Sequence, residues 1–546
     1  MNYTLKTLRV IAILLLSQSI FAQNAILEKQ TIKKIDSLFN SYHQDNKTGS
    51  IMSIIKKEET VYVNHKGLAN IEHQIPITNS TAFNIASVSK QFTTFLALLL
   101  EEEGKLSFSD DIRLHLHELK QLPNKITIKQ LTNHTHGLPN PDELAQLKGV
   151  KTMNHRQVLK MLLNIKQVNF ESGAKHEYNN TGYILLSEII ERVGQKPFKE
   201  QLQEKIFKPL GMNNTQAVGY NDDVVKNKAY SYKVWNDTYI NLPVRLSTMG
   251  SSGIYTTIND LGIWVKNYQK VTVGTREFYE KMQTATFLNS GKKINYGLGL
   301  QFDNYEGIDV VFHGGGTESY RSYILHAPKH QLSLLFLSNK GDMVGLNILY
   351  KSLEIILKGS IQEENTYKVL NNKELDNLEG TYEMFPGIHY NIIAEKDKLY
   401  FQNFGSTDKH HLPQIGKNEF DFPHPHIKFI FYKGGFNYHI ADMTYPCKKV
   451  VLQLPKSKDI NLTDFIGTFK NIEYNTSYEL VIKDNKLIAK HSLNYDISLY
   501  LLAKNSFYSK EAFFGEIDFI FNSDKSIIGF KLSGQNLKNI IFKKVI

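Results

Sequence analysis

The chain has 546 residues, too many for one ordinary domain, and its 41% apolar and 11% aromatic content can fill real cores. Its formal net charge of +10 comes from lysines scattered among acids, with no basic block interleaved with aromatics, which argues against nucleic acid as a partner. Cys447 is the one cysteine, which excludes a disulfide framework and a cysteine zinc site.

In chain order, Lys6 and Arg9 precede the apolar run Val10 to Leu16, which continues to Phe21-Ala22 and gives way to Gln23-Asn24. That pattern predicts a secretory signal peptide over residues 1–22 and a periplasmic or secreted protein. The run is shorter than the ~20 residues of a membrane span, so no stable membrane insertion is expected after cleavage. Ile32, Ile35, Leu38 and Phe39 recur at helical spacing, and Ser50 to Ile55 and Thr60 to Asn64 read as strands.

Phe83 to Leu100 organises the rest. Ser87 and Lys90 stand three residues apart at the head of an apolar run that predicts a buried helix ending near Gly104. One helical turn sets them on one face, where a desolvated lysine can act as base for a serine nucleophile. The competing reading is a helix-start serine beside a solvated lysine, and Ser-x-x-Lys recurs at Ser53/Lys56, Ser290/Lys293 and Ser406/Lys409 without an apolar helix behind it.

The Gly and Pro of Thr132 to Pro139 stop a helix, and Leu159 to Leu163 and Ile184 to Val193 predict two more. Tyr178 and Asn180 lie on the loop feeding the second of these. A phenol near lysines can move a proton and an amide can orient a carbonyl; a satisfied buried tyrosine is the alternative. Val310 to Leu337 reads as a meander with a closing helix, Leu346 to Leu357, so strands from both ends and helices between predict an α+β domain. Within the meander, His313-Gly314-Gly315-Gly316 follows a strand, where glycines let a substrate approach or simply turn the chain.

Taken together, Ser87-Val88-Ser89-Lys90, Tyr178-Asn179-Asn180 and His313-Gly314-Gly315 resemble the three active-site elements of the serine β-lactamase and penicillin-binding protein superfamily, in its class C-like and esterase-like branch. Leu131 to Leu138, Pro209 to Met212, Gly253 to Trp264 and Tyr296 to Gly299 resemble flanking text of that family, so the likeness spans about residues 25 to 360. The resemblance implies acylation of Ser87, proton movement by Lys90 and Tyr178, substrate contacts from Asn180, His313 and Gly315, and an oxyanion hole from the backbone N–H groups of Ser87 and Gly316. It implies no metal or other cofactor, and a small-molecule or short-peptide substrate. Thr317-Glu318-Ser319-Tyr320 departs from the family's usual Thr-Pro-Gly-Phe, and Ser172 stands where a proline is common. Arg321 could pair a substrate carboxylate, though capping its own strand is the favoured role.

After about Leu375, short alternating strands take over in two units related by a shift close to 87 residues: Leu378 to Tyr382 matches Phe465 to Phe469, and Lys398 to Tyr400 matches Lys486 to Ile488. The expected layout is a catalytic domain over 23–362 and two small barrels over 370–456 and 457–546, which resembles bacterial D-aminopeptidases of the superfamily. His410, His411, His424 and His426 read as loop histidines rather than a metal cluster. The reading is a secreted serine hydrolase of small amides or esters, D-amino-acid peptides first. Its rivals are a β-lactamase or simple esterase, and an idle binding protein for peptides or cell-wall fragments; oligomeric state stays open.

Overall fold

The computed structural model describes residues 27–43, 47–151, 153–219, 223–235, 238–244, 246–343, 345–358, 368–422, 427–440, 443–455 and 460–545. The signal segment and His424 and His426 lie outside these residues.

A six-stranded antiparallel sheet forms the frame, ordered Gln301–Tyr305, Ile308–Thr317, Tyr320–Ala327, Leu332–Ser338, Ser50–Lys56 and Glu59–Lys66. The two ends of the domain are thus zipped together, Ser50 facing Ser338 and Lys56 facing Leu332. Leu332–Ser338 is buried at every position, as a central strand covered on both faces must be. One face packs on Lys29–Ser41 and Gly345–Lys358 through Ile35, Phe39, Leu349 and Leu353. The other packs on the helical half of the domain, centred on Ser89–Glu102.

Eleven of that helix's 14 residues are buried, the polar Ser89, Lys90, Gln91, Thr93 and Thr94 among them, so it is a core helix whose first turns carry polar groups that need partners. Phe92 and Phe95 bracket Trp264 with ring centroids at 4.3 and 5.2 Å. Gly104, at φ +70°, takes the left-handed conformation that ends the helix. The helix begins at Ser89 rather than Ser87: Ala86–Val88 forms a separate 3-10 turn in front of it.

Beyond the short helix Asn372–Asp376 the described residues are strands joined by turns and two 3-10 segments. The first unit is a nine-stranded sheet whose two edge strands, Lys409–Leu412 and Gln414–Gly416, are separated only by Pro413, so the sheet is rolled back on itself. His410 and His411 are exposed on the first of these strands, not in a loop. The second unit is a closed barrel of eight strands from Gly467–Asn471 to Ile540–Lys544. The repeat is physical: Lys449 lies over Tyr382 and Lys544 over Phe469, each 5.8 Å from the ring.

Candidate active site

Ser87 stands on the 3-10 turn between the strand Phe83–Asn84 and the buried helix. Ala86 is held at φ +44°, a conformation costly for a residue with a Cβ, and Asn84 Oδ1 accepts its N–H at 2.8 Å. The strain lifts the serine out of the helix and leaves its hydroxyl at the helix mouth.

Lys90, one turn on, is fully buried. Its Nζ donates to Ser87 Oγ at 2.9 Å, to Asn180 Oδ1 at 2.9 Å and to the Ser251 carbonyl at 3.0 Å. Three acceptors fill its donors, and the Tyr178 and Tyr183 rings lie 5.0 and 5.5 Å from it. Burial pulls the lysine down to about 7, against the upward pull of Asp142. Neither Ser53/Lys56, in a strand, nor Ser290/Lys293 and Ser406/Lys409, at the surface, shares such a setting.

Asn180 is the N-cap of Thr181–Gly194, yet its side chain caps nothing. It faces the site, its Oδ1 to Lys90 and its Nδ2 donating to Asp142 Oδ2 at 2.9 Å. Asp142 opens the short helix Pro141–Leu147 and closes a chain Ser87–Lys90–Asn180–Asp142. Burial raises its carboxyl; the Asn180 hydrogen bond and Lys90 pull the other way.

The strand Ile308–Thr317 supplies the opposite wall. Its partner Gln301–Tyr305 ends opposite Phe312, so from His313 to Thr317 its outer edge has no strand beside it among the described residues. A Cβ on Gly315 would stand 2.4 Å from the Ile85 carbonyl and 3.0 Å from Ser87 N, so only glycine lets this edge lie against the Ser87 turn.

His313 does not open to the cleft as its sequence position implied. It is buried, its Nδ1–H donates to the Gly314 carbonyl at 2.6 Å, and its Nε2 therefore accepts the Tyr296 hydroxyl at 2.9 Å. Tyr296 accepts in turn from His134 Nε2 at 3.1 Å, and His134 Nδ1 takes the Asn179 N–H at 3.2 Å. Burial, helped by Lys90, holds His313 down at about 3, so it is neutral. Both its nitrogens are used by the protein, which leaves none for substrate. Tyr178 lies between this network and the lysine, 4.4 Å from the His134 ring and 6.3 Å from the His313 ring.

Arg321 spends one nitrogen on its own hairpin, donating to the Glu318 and Tyr320 carbonyls at 3.0 and 2.7 Å. It braces the turn, the role the sequence favoured. Gly316 packs under it, a Cβ there standing 3.3 Å from Nη1. Sequence reasoning missed Asp142, His134, Tyr296 and the Ser251 carbonyl. Asn140-Pro141-Asp142 did announce a helix start with an acid in its first turn, but not what that acid faces.

Among the described residues, His155, Glu188 and Glu191 bring ligand atoms within 4.8 Å of one another. Arg192 at 2.9 Å from Glu188 and Arg156 at 3.8 Å from Glu191 already match the carboxylates.

The profile of the Beta-lactamase family matches residues 35–348. Over 400 residues the chain is 26% identical to Penicillin-binding protein 4* of Bacillus subtilis, covering 68% of this chain and 88% of that protein. It is 26% identical to D-aminopeptidase of Gluconobacter oxydans over 307 residues, but spans only 55% of that protein. The octameric penicillin-binding protein homologue from Pyrococcus abyssi superposes over 84% of the chain and 98% of its own, with TM-score 0.57 at 22% identity. D-amino acid amidase from Ochrobactrum anthropi superposes over 60% of the chain and 99% of its own, with TM-score 0.52 at 20% identity. These two likenesses carry the fold. By the family match over more than half its length, the chain belongs to the Beta-lactamase family, and its class is that of a serine hydrolase.

Proposed function

We propose that the protein is an exported hydrolase that forms an acyl-enzyme on Ser87 and cleaves amides of D-amino acids or short D-peptides. The observation that carries this is the buried Lys90 Nζ, 2.9 Å from Ser87 Oγ and lowered to about 7, a base ready to take the serine proton near neutral pH. As Oγ attacks the carbonyl carbon, its proton passes to Lys90. The oxyanion meets backbone N–H groups of the Ser87 turn and of the open strand edge at Gly316. The proton then reaches the leaving amine by way of Lys90 and Tyr178, the amine departs, and water attacks the ester with Lys90 again as base. Asn180 holds the lysine and lies beside the substrate; Asp142 steadies Asn180. The D-amino-acid preference is drawn from the D-aminopeptidase and D-amino acid amidase similarities, and the address from residues 1–22.

The test is intact-mass spectrometry of the mature protein during turnover of D-alanine amides, p-nitrophenyl esters and a chromogenic cephalosporin, with Ser87→Ala alongside. Turnover of D-amides, lost with the mass adduct in Ser87→Ala, is the expected result. Turnover of esters alone moves the protein to an esterase, of the cephalosporin alone to a β-lactamase. No adduct with any substrate or with a fluorophosphonate leaves a binding protein.

A further inference from the structure

Segments that flank the Ser87 turn and the Ser251 carbonyl also help wall a cavity of about 100 Å³. Asn84 holds the Ala86 N–H; Gly253 and Tyr255 follow Ser251, whose carbonyl holds Lys90; Tyr320 begins the strand that returns from the glycine hairpin. One water needs ~10–15 Å³ by the same measure, so the space has room for a short side chain.

Lys228 completes the wall. Its backbone is tied to the strand leading to Ser87: Ala82 N–H donates to the Asn227 carbonyl and Ala229 N–H to the Ala82 carbonyl, both at 2.9 Å. Its ammonium lies 5.3 and 5.9 Å from the rings of Tyr230 and Tyr255, both of which line the cavity. Among the described residues it has no hydrogen bond and no carboxylate partner. Burial already lowers its pKa. The carboxylate in the wall, Asp223, accepts the Gly219 N–H at 3.0 Å and has Lys199 Nζ at 3.8 Å, so its charge is engaged elsewhere. A partly desolvated cation on two aromatic faces, in a wall whose one carboxylate is held by Gly219 and Lys199, is a half-built ion pair.

We propose that this cavity is the substrate side-chain subsite and that it takes a short anionic side chain, its carboxylate paired with Lys228, so that amides of acidic D-amino acids are the preferred substrates. The proposal rests on Ser87 as the nucleophile, whose turn follows the strand Phe83–Asn84 that reaches the cavity wall.

The probes are D-isoglutamine, the α-amide of D-glutamic acid, and D-glutamine α-amide, which differ only in a carboxylate against a carboxamide. Wild type is expected to favour the carboxylate by about tenfold or more in kcat/KM, mainly through KM, with the ratio collapsing toward one in Lys228→Met and partly kept in Lys228→Arg. A ratio near one in wild type, or a ratio in Lys228→Met equal to that of wild type, overturns the subsite. The same pair titrated into Ser87→Ala by calorimetry needs no turnover. Tighter binding of the carboxylate ligand there, lost on adding Lys228→Met, supports the subsite; equal binding overturns it. Discrimination in binding without turnover or fluorophosphonate labelling of wild type overturns the hydrolase reading alone.

Discussion

Both N–H groups of Asn536, backbone and side chain, end on the carboxylate of Glu143, at 2.8 and 2.6 Å. Asn536 belongs to the C-terminal barrel unit, and Glu143 is the residue after Asp142. At the other end of the same short helix, the Tyr478 hydroxyl donates to the Leu147 carbonyl at 2.9 Å and Asn494 Nδ2 to the Gln146 carbonyl at 2.6 Å. The barrel therefore grips both ends of the helix that carries Asp142 to Asn180. Replacing Asn536 with alanine strips a donor from a buried carboxylate, at a cost of about 1–3 kcal/mol. Asn536→Ala is expected to lower the denaturation midpoint and to reduce kcat/KM several-fold by loosening Asp142. A full loss of midpoint with unchanged kcat/KM would limit the barrel to a stabilising role.

Lys90 must be neutral to accept the serine proton, and burial brings it to about 7. Below that pH, kcat/KM is expected to fall about tenfold per unit; above it, to level off. His313, at about 3, and His176, at about 4, stay neutral through this window and add no limb. A pH profile on a neutral D-amide checks this. Lys90→Met is expected to lose about 10²–10⁴ in kcat/KM and the limb with it.

At Gly315 the added methyl of Gly315→Ala meets the Ile85 carbonyl at 2.4 Å and Ser322 Oγ at 2.5 Å. Backbone and strand must part, which moves the open edge away from Ser87. We expect kcat to drop by about 10²–10³, the scale of a lost oxyanion donor, while circular dichroism stays that of the folded protein.

His134, His136, His176 and His313 are all held below the usual 6.5, chiefly by burial. The unfolded chain binds protons at these sites before the folded one does, so their contribution is complete above 6.5 and is lost as pH falls toward 4 and 3. Glu143 and Glu516, raised by burial to about 7, act in the opposite sense between 4.5 and 7. With His326, His389, His439 and His491 also lowered and Asp142, Glu383 and Glu473 also raised, eight histidines against five acids make acid the destabilising direction. Denaturant midpoints are expected to fall from pH 7 to pH 5, and a flat profile would contradict the burial of this cluster.

Much of the site could be read in the chain because its groups lie in short, local patterns. Ser87 and Lys90 are one turn apart, so local geometry alone brings them together, and the apolar run behind them had to be core. The barrels were legible for the same reason: Gly380 and Gly467, 87 positions apart, both take positive φ at the start of matching strands. Where local pattern misled, it was by a turn, as when the helix began at Ser89 and left Ser87 on the strained turn at Ala86.

The sequence by itself determined the α+β frame, the strand-rich tail and the placing of Ser87 one turn from Lys90, because hydrophobic period and residue spacing act over a few positions of one segment. Only the tertiary structure decided that Asp142 backs Asn180, that His313 is sealed behind Tyr296, that Lys228 lines a cavity walled in part by Asn84 and Tyr320, and that the barrel grips the Asp142 helix. Each of these joins residues tens to hundreds of positions apart. Such partners are chosen by the packing of whole elements and the satisfaction of buried polar groups, which no local stretch of sequence records.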